Sequence, residues 1–377
     1  MKRQLKVLLV FGTRPEAIKM APVVQALLAQ PARFLVRVCV TAQHRQMLDQ
    51  ALRLFAIRPD HDLNVMRPGQ SLSAVTAAVL QGVEEVLHAE KPDWVLVQGD
   101  TTTVMAASLA AFYQRTRLGH IEAGLRTGDN AQPFPEEVNR RVCSVMADVH
   151  FAPTQQAAAN LLAEGILGSR IIVTGNTVID ALRHVAAMPF DWSQIGISGT
   201  EAEWEGKRLV LVTAHRRENF GAPLEGICQA IREIARQRSG SVHFIYPVHL
   251  NPQVQEPVGR LLGGLANITL LPPLEYLPLV HLLKRSHLVL TDSGGLQEEA
   301  PGLGKPVLVL REVTERPEGV AAGTVKLVGT NPDRIVDEVS HLLDNADAYA
   351  RMSEATNPYG DGFAAVRIAK HLDEHTA

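Results

Sequence analysis

Two stretches of this chain carry residue types suited to holding phosphate. The first is Leu288-Val-Leu-Thr-Asp-Ser-Gly-Gly-Leu-Gln-Glu-Glu299, an apolar strand, a Ser-Gly-Gly turn and a short acidic helix. Backbone N–H groups of Ser293, Gly294 and Gly295 at such a turn can approach an anion closely, and the start of the helix adds partial positive charge. Glu299 lies one helical turn past Gly295, where a carboxylate can accept hydrogen bonds from sugar hydroxyls. The pattern suits a nucleotide that carries a sugar. The second stretch is Thr213-Ala-His215-Arg216-Arg217-Glu218, a histidine and two arginines at a strand end. It suits charge developing on a phosphate, with a purely structural histidine as the alternative. Tyr246-Pro-Val-His249-Leu-Asn-Pro252 ends the next strand in a similar way, with a weaker signal.

Carboxylates collect in the other half of the chain. Asp100, in Gln98-Gly-Asp-Thr-Thr-Thr103, either caps the following helix or faces a ligand at the strand end. Glu122 closes an apolar strand, where a buried carboxylate is costly without a partner, and Arg126 is near enough in sequence to supply one. Glu136 and Glu137 open a helix after Pro133-Phe-Pro135, a position the helix dipole favours for acids anyway. Arg14 and Lys19, in Gly12-Thr-Arg-Pro-Glu-Ala-Ile-Lys19, are cations within reach of an anionic group; a helix start with solvated charges explains them equally well. Arg316 follows a late strand and is either a ligand contact or a solvated helix start.

The elements that must position these groups are legible as alternating apolar runs and helical segments. Strands are expected at Lys6–Phe11, Val36–Thr41, Trp94–Gln98, Leu118–Glu122, Val149–Ala152 and Ile171–Thr174. A second series is expected at Leu209–Thr213, His243–Val248, Ile268–Leu271, Leu288–Thr291, Pro306–Leu310 and Val325–Val328. Continuous apolar runs separated by helices indicate parallel strands covered on both faces. The fold class is α/β, with two doubly wound parallel-sheet domains in series. The first spans 1–177, with a final helix at 360–377 packing back on it, and the second spans 178–359. Residues 187–207, with Pro189, Gly196 and Gly199, read as a surface loop or irregular helix near the junction. Ligands of open parallel sheets bind beyond the carboxyl ends of the strands, so two facing sheets predict a cleft lined by the polar clusters above.

Composition narrows the class. The 377 residues are 46% hydrophobic and 20% charged with net charge −3, which suits a soluble globular protein and gives no sign of nucleic acid or a membrane surface as partner. No apolar run reaches the about 18 residues of a spanning helix. The apolar N-terminus leads straight into Gly12-Thr-Arg-Pro-Glu, so a core strand is expected there rather than a signal peptide. Cys39, Cys143 and Cys228 form no metal or redox spacing, and the expected compartment is the cytoplasm. No dinucleotide fingerprint, Walker loop, zinc spacing or nucleophile elbow occurs, so neither a cofactor nor a metal is expected.

Taken together, these motifs resemble the non-hydrolysing UDP-N-acetylglucosamine 2-epimerase family of bacteria. The resemblance rests on Phe11–Pro22, Thr41–Gln50, Gly99–Thr103, Glu122–Gly128, Pro135–Glu137, His215–Glu218, Pro247–Pro252, Thr291–Gly295, Gln297–Pro301 and Asn357–Gly362, and spans nearly the full length. It implies two Rossmann-like domains in the GT-B arrangement and reversible conversion of UDP-GlcNAc to UDP-ManNAc for cell-surface polysaccharide synthesis. The implied route eliminates UDP to 2-acetamidoglucal and adds it back, without nicotinamide. By motif, Asp100, Glu122 and Glu136 become acid/base carboxylates and His215 steadies the departing phosphate. Ser293, Gly294 and Gly295 hold the diphosphate, Glu299 the ribose, and Arg14, Lys19, Arg217 and Arg316 the nucleotide side. Gln43, Gln46, Gln70, Glu136, Arg216 and His249 match an activator site for a second UDP-GlcNAc, and a homodimer is implied. Two departures stand out. Gly69 replaces an arginine of some members' activator site, and Gln98 stands where histidine is frequent, which is expected to alter local hydrogen bonding only. A hydrolysing relative releasing free sugar, and a GT-B glycosyltransferase or sugar-nucleotide sensor, are the competing readings.

Overall fold

The computed structural model of the chain describes residues 3–42, 45–67, 69–195 and 204–374. It divides into two units, Met1–Ala181 with Tyr359–Ala377, and Leu182–Pro358. The first unit holds seven strands: β1 (Leu5–Phe11), β2 (Phe34–Val40), β3 (His61–Asp62), β4 (Trp94–Gln98), β5 (Arg117–Ile121), β6 (Val149–Ala152) and β7 (Ile171–Val173). All pairings are parallel and the order is β3-β2-β1-β4-β5-β6-β7. β4 and β6 are buried at every position, as expected of strands with helices on both faces. β3 was not expected, because its two residues are polar; it pairs with Cys39 and Val40 at the sheet edge.

Helix starts fix the loops that follow the strands. The Arg14–Leu28 helix opens with a capping box: the Thr13 hydroxyl accepts from Glu16 N–H, and the Glu16 carboxylate accepts from Thr13 N–H. The Thr102–Tyr113 helix is capped by Thr101, whose hydroxyl accepts from Val104 N–H. Asp100 is therefore not the cap; its side chain is released for other contacts because the next residue serves the helix. After β5 the chain turns sharply through Glu122 at φ +61° and Gly124 at φ +92°. A Cβ on Gly124 would lie 2.2 Å from the Ala157 carbonyl oxygen, so this turn requires glycine.

The second unit holds β8 (Arg208–Thr213), β9 (Val242–Pro247), β10 (Ile268–Leu271), β11 (Leu288–Thr291), β12 (Val307–Val309) and β13 (Val325–Leu327). Their order is β10-β9-β8-β11-β12-β13, again all parallel. Each sheet thus runs outward from its first strand in both directions. The reversal falls between β1 and β4 in one and between β8 and β11 in the other, and such switch points are where doubly wound sheets bind ligands. In residues 187–207, Trp192–Ile195 form a single 3₁₀ turn and Trp204 is buried edge-on to Trp192.

The chain returns to the first unit at its end. The Asn176 N–H donates to the Tyr359 carbonyl at 2.7 Å, and Asp180 accepts from the N–H groups of Ala364 and Ala365 at the start of the Ala364–Glu374 helix. Arg33 pairs with Asp373 near that helix's other end.

Candidate active site

At the β1/β4 switch point of the first unit, a network of carboxylates joins three loops. Glu16, 2% exposed, accepts from the N–H groups of Gly12 and Thr13 at 3.1 and 2.8 Å through one oxygen. Its other oxygen accepts from the Thr101 hydroxyl at 2.8 Å, which ties the β1 loop to the β4 loop. Burial pushes this carboxyl up to about 7 despite those hydrogen bonds. Asp100 pairs with Arg140, and Asn139 donates to the Asp100 carbonyl at 3.0 Å. Both partners come from the Glu136–Met146 helix. Burial raises the Asp100 carboxyl, while the Arg140 charge opposes the rise and the Glu122 charge adds to it.

Glu122 accepts from Lys19 Nζ at 2.5 Å and from Gln98 Nε2 at 3.0 Å, both on Oε2. Arg126, the nearer cation in sequence, is turned instead to Glu164 and Ser144. Glu122 combines this pairing with a left-handed backbone, an unusual cost for a residue of its kind and one typical of sites that hold a side chain in place for use. His120, fully buried, faces the Gly99 carbonyl at 2.7 Å and is held neutral, its value driven down to about 3 by burial. Glu136 occupies the first turn of the helix that delivers Asn139 and Arg140 to Asp100. Arg14, half-buried, begins the helix that carries Lys19. The first unit thus holds two ion pairs, Asp100–Arg140 and Glu122–Lys19, and the charges of Glu122 and Lys19 act on Asp100.

At the β8/β11 switch point of the second unit the chemistry is cationic. Asp292, 0% exposed, accepts through Oδ2 from the N–H groups of His215 and Arg216, each at 2.7 Å, and from the Asn219 side chain at 3.0 Å. His215 lies with its ring stacked on His249, 5.3 Å between centroids and 6° between planes. Arg217 is exposed in the short Arg217–Asn219 turn. Ser293 caps the Gly294–Gly302 helix with its backbone only, and its N–H donates to the Thr291 hydroxyl at 2.9 Å. Neither Gly294 nor Gly295 needs positive φ. A Cβ on Gly294 would meet nothing nearer than Arg216 Nη2 at 3.7 Å, so the fold itself does not demand glycine there. Glu299 is buried and accepts from the Tyr276 hydroxyl at 2.6 Å. Arg316 pairs with buried Glu298, the residue before Glu299 in the Gly294–Gly302 helix.

Of the activator-type residues, Gln43 lies outside the described residues. Gln46 is exposed on the Arg45–Leu54 helix. Gln70 spans its own loop, accepting from Arg67 N–H at 2.6 Å and donating to the Val65 carbonyl at 3.1 Å. Gly69 has φ +74° and open space around its Cα. His249 accepts from Asn251 N–H through Nδ1 at 3.1 Å.

Sequence reasoning assigned no role to Glu16, Arg140, Tyr276 or Asp292. The available signal was position: Glu16 and Asp292 are acids just past strand ends, where a buried carboxylate needs donors. Gln98 donates a hydrogen bond from its amide to Glu122, a candidate carboxylate. Among the described residues no group of three or more His, Cys, Asp or Glu side chains could hold a metal ion.

With this geometry in hand, comparison with known proteins gives a consistent answer. The family model described as UDP-N-acetylglucosamine 2-epimerase matches residues 26–373. The chain belongs to that family. A curated UDP-N-acetylglucosamine 2-epimerase of Yersinia pestis is 56% identical over 374 residues, covering 98% of this chain and 99% of its own. A crystal structure of UDP-GlcNAc 2-epimerase from Neisseria meningitidis bound to UDP-GlcNAc is 49% identical, with TM-score 0.86 and coverage of 98% and 100%. The UDP-GlcNAc 2-epimerase of Methanocaldococcus jannaschii, in complex with UDP-GlcNAc and UDP, is 32% identical, with TM-score 0.76 and the same coverages.

Proposed function

We propose that the protein catalyses reversible C2 epimerisation of UDP-GlcNAc to UDP-ManNAc, with the second unit binding the UDP half and the first performing proton chemistry on the sugar. The observation that carries this reading is the division of chemistry between the two switch points. One gathers Asp100, Glu122 and Lys19; the other gathers His215, Arg216 and the N–H groups at Ser293–Gly295. The activity for which the family is named supplies the substrate.

The C2 hydrogen of the sugar is not acidic. Breaking of the C1–O bond to UDP must therefore lead, placing positive charge on the ring and negative charge on the diphosphate. One of Asp100, Glu122 and Glu136 then accepts the C2 proton, giving 2-acetamidoglucal and UDP; another returns a proton to the opposite face as UDP adds back at C1. His215 and the helix start stabilise the leaving diphosphate, and Glu299, oriented by Tyr276, takes the ribose hydroxyls. Arg14, Arg217 and Arg316 add contacts to the nucleotide. The exchange consumes no oxidant and calls for no cofactor.

Proton NMR of a reaction run in deuterium oxide tests this directly. UDP-GlcNAc and UDP-ManNAc should interconvert with deuterium entering C2 in both. Accumulation of free N-acetylmannosamine with UDP would replace the reading by the hydrolysing one, and retention of the C2 proton would remove the mechanism. The family branch supports two further elements. A second UDP-GlcNAc acts as activator through Gln43, Gln46, Gln70, Arg216 and His249, which a sigmoidal rate against UDP-GlcNAc concentration would register. The chain works as a homodimer, for which Phe112 and Tyr113 on one helix and Val138, Val142 and Val145 on the adjoining one offer an exposed apolar face; sedimentation equilibrium reads the mass. The product serves cell-surface polysaccharide synthesis, and the setting is the cytoplasm; among the described residues no helix is long and apolar enough to cross a membrane.

A further inference from the structure

Asp292 takes three hydrogen bonds from its surroundings, and only one of its oxygens is accounted for. Oδ2 takes three hydrogen bonds, from the N–H groups of His215 and Arg216 and from the Asn219 side chain. Oδ1 is buried without a hydrogen-bond partner, an expensive condition for a carboxylate oxygen. The nearest cationic atom to it is His215 Nδ1, at 3.6 Å. That spacing is beyond a hydrogen bond and within ion-pair range, and catalytic hydrogen bonds commonly tighten in the reacting complex. The His215 ring itself is 43% exposed, so one edge faces the carboxylate while the ring remains accessible.

We propose that Asp292 is a positioning residue that sets the tautomer of His215, drawing Nδ1–H toward its Oδ1 and presenting Nε2 to the departing diphosphate. This rests on the epimerase reading above for the identity of the leaving group. With one ring proton committed to Asp292, Nε2 can donate to a phosphate oxygen only when His215 is doubly protonated. The working form is then an imidazolium backed by a carboxylate, with its charge placed for the moment when the diphosphate gains charge. No proton needs to be transferred; the donation and the charge stabilise the leaving group.

Three groups face the ring. Burial lowers the proton affinity of His215 most, Asp292 opposes it, and the stacked His249 and neighbouring Arg216 lower it further. His249 holds its own Nδ1 as an acceptor from Asn251 N–H, so it offers His215 no competing acceptor at that atom. Turnover should therefore fall on the alkaline side as His215 loses its second proton. Asp292→Asn must keep its amide oxygen where three donors converge, so its NH₂ would face His215 Nδ1 and donate to it. The neutral ring would then carry its proton on Nε2.

The test is ¹⁵N NMR of the ring nitrogens in the full chain, with His215 assigned by loss of its signals in His215→Gln. Above its titration, wild-type His215 should be protonated at Nδ1, and Asp292→Asn should switch the proton to Nε2. UDP carries the charge that the imidazolium faces, so by calorimetry the variant should bind UDP more weakly than wild type and with a shallower pH dependence. Its kcat should fall by about 10²-fold, with the alkaline limb flattened, as loss of a preorganised charge predicts. A wild-type ring protonated at Nε2 would overturn the proposal, as would a variant with unchanged kcat and pH profile. If Asp292→Asn does not fold, the wild-type spectrum alone decides. A protein that binds UDP but never turns over UDP-GlcNAc would sink the epimerase reading, while the ring tautomer would still decide this one.

Discussion

At the residue scale, the side chains proposed for chemistry are held by partners far away in the chain. Glu122 meets Lys19 across 103 positions, and Asp100 meets Arg140 across 40. Both carboxylates were legible as strand-end acids, whereas their partners were not, because pairing is decided by which loops converge at the switch point. Arg126, four residues past Glu122, is carried away by the turn at Gly124 and pairs with Glu164. This gives Lys19 a testable position. If it serves Glu122, Lys19→Met should lower kcat by about 10²-fold, at the low end of general acid–base effects, with UDP affinity intact. A drop in UDP affinity with kcat preserved would return Lys19 to the nucleotide side. Glu16 makes a prediction about stability. Its folded value of about 7 lies above its ordinary 4.5, so the fold prefers the protonated form. That contribution is full below 4.5 and is lost as pH rises through 7, a span worth about 3 kcal/mol. Glu16→Gln keeps an oxygen for Gly12 and Thr13 and a donor for the Thr101 hydroxyl. It should match wild type near pH 5, exceed it near pH 8 and flatten urea-denaturation stability between them. An unchanged slope would show that Glu16 is ionised throughout.

At the element scale, strands were the most legible feature, because burial on both faces demands unbroken apolar runs. β4, β6, β10 and β11 occupy the expected residues, and most others shift by one or two at an end. β3 escaped notice since two polar residues at a sheet edge carry no apolar signal. The cap of the Thr102–Tyr113 helix was misplaced by one residue, as Asp100 and Thr101 are both good caps and tertiary pairing with Arg140 took the first away. The Gly294–Gly302 helix raises a sharper point. Its first two glycines have ordinary helical backbone and room for a methyl group. Gly294→Ala should leave stability unchanged or raise it by up to about 1 kcal/mol. The same change should weaken UDP binding, because the added carbon stands where the diphosphate would approach the N–H groups. A thermal melt and a UDP titration read the two effects separately, and undiminished UDP affinity would show that the anion lies elsewhere.

At the scale of the whole molecule, two sheets with the same branching order were not legible, since strand order depends on the direction each connection takes. What could be read was that polar clusters fall at strand ends. The structure adds that the clusters after β1, β4, β8 and β11 fall at the two reversals. The return of the chain end is secured chiefly through Asp180, whose carboxylate receives two N–H groups at the start of the Ala364–Glu374 helix. Asp180→Ala should cost about 1–2 kcal/mol in urea denaturation, the usual worth of a lost helix cap. No measurable change would place the anchorage instead in Arg33–Asp373 and the packing of Ile368 and Leu372.

The interruption of the first unit by residues 182–358 also bears on biosynthesis. A ribosome delivers every strand of both sheets before it delivers Tyr359 and the Ala364–Glu374 helix. The unit encoded second can therefore close while the one encoded first still awaits its last piece. A chain truncated after Pro358 and released should carry a protease-resistant second unit beside a first unit that is still vulnerable.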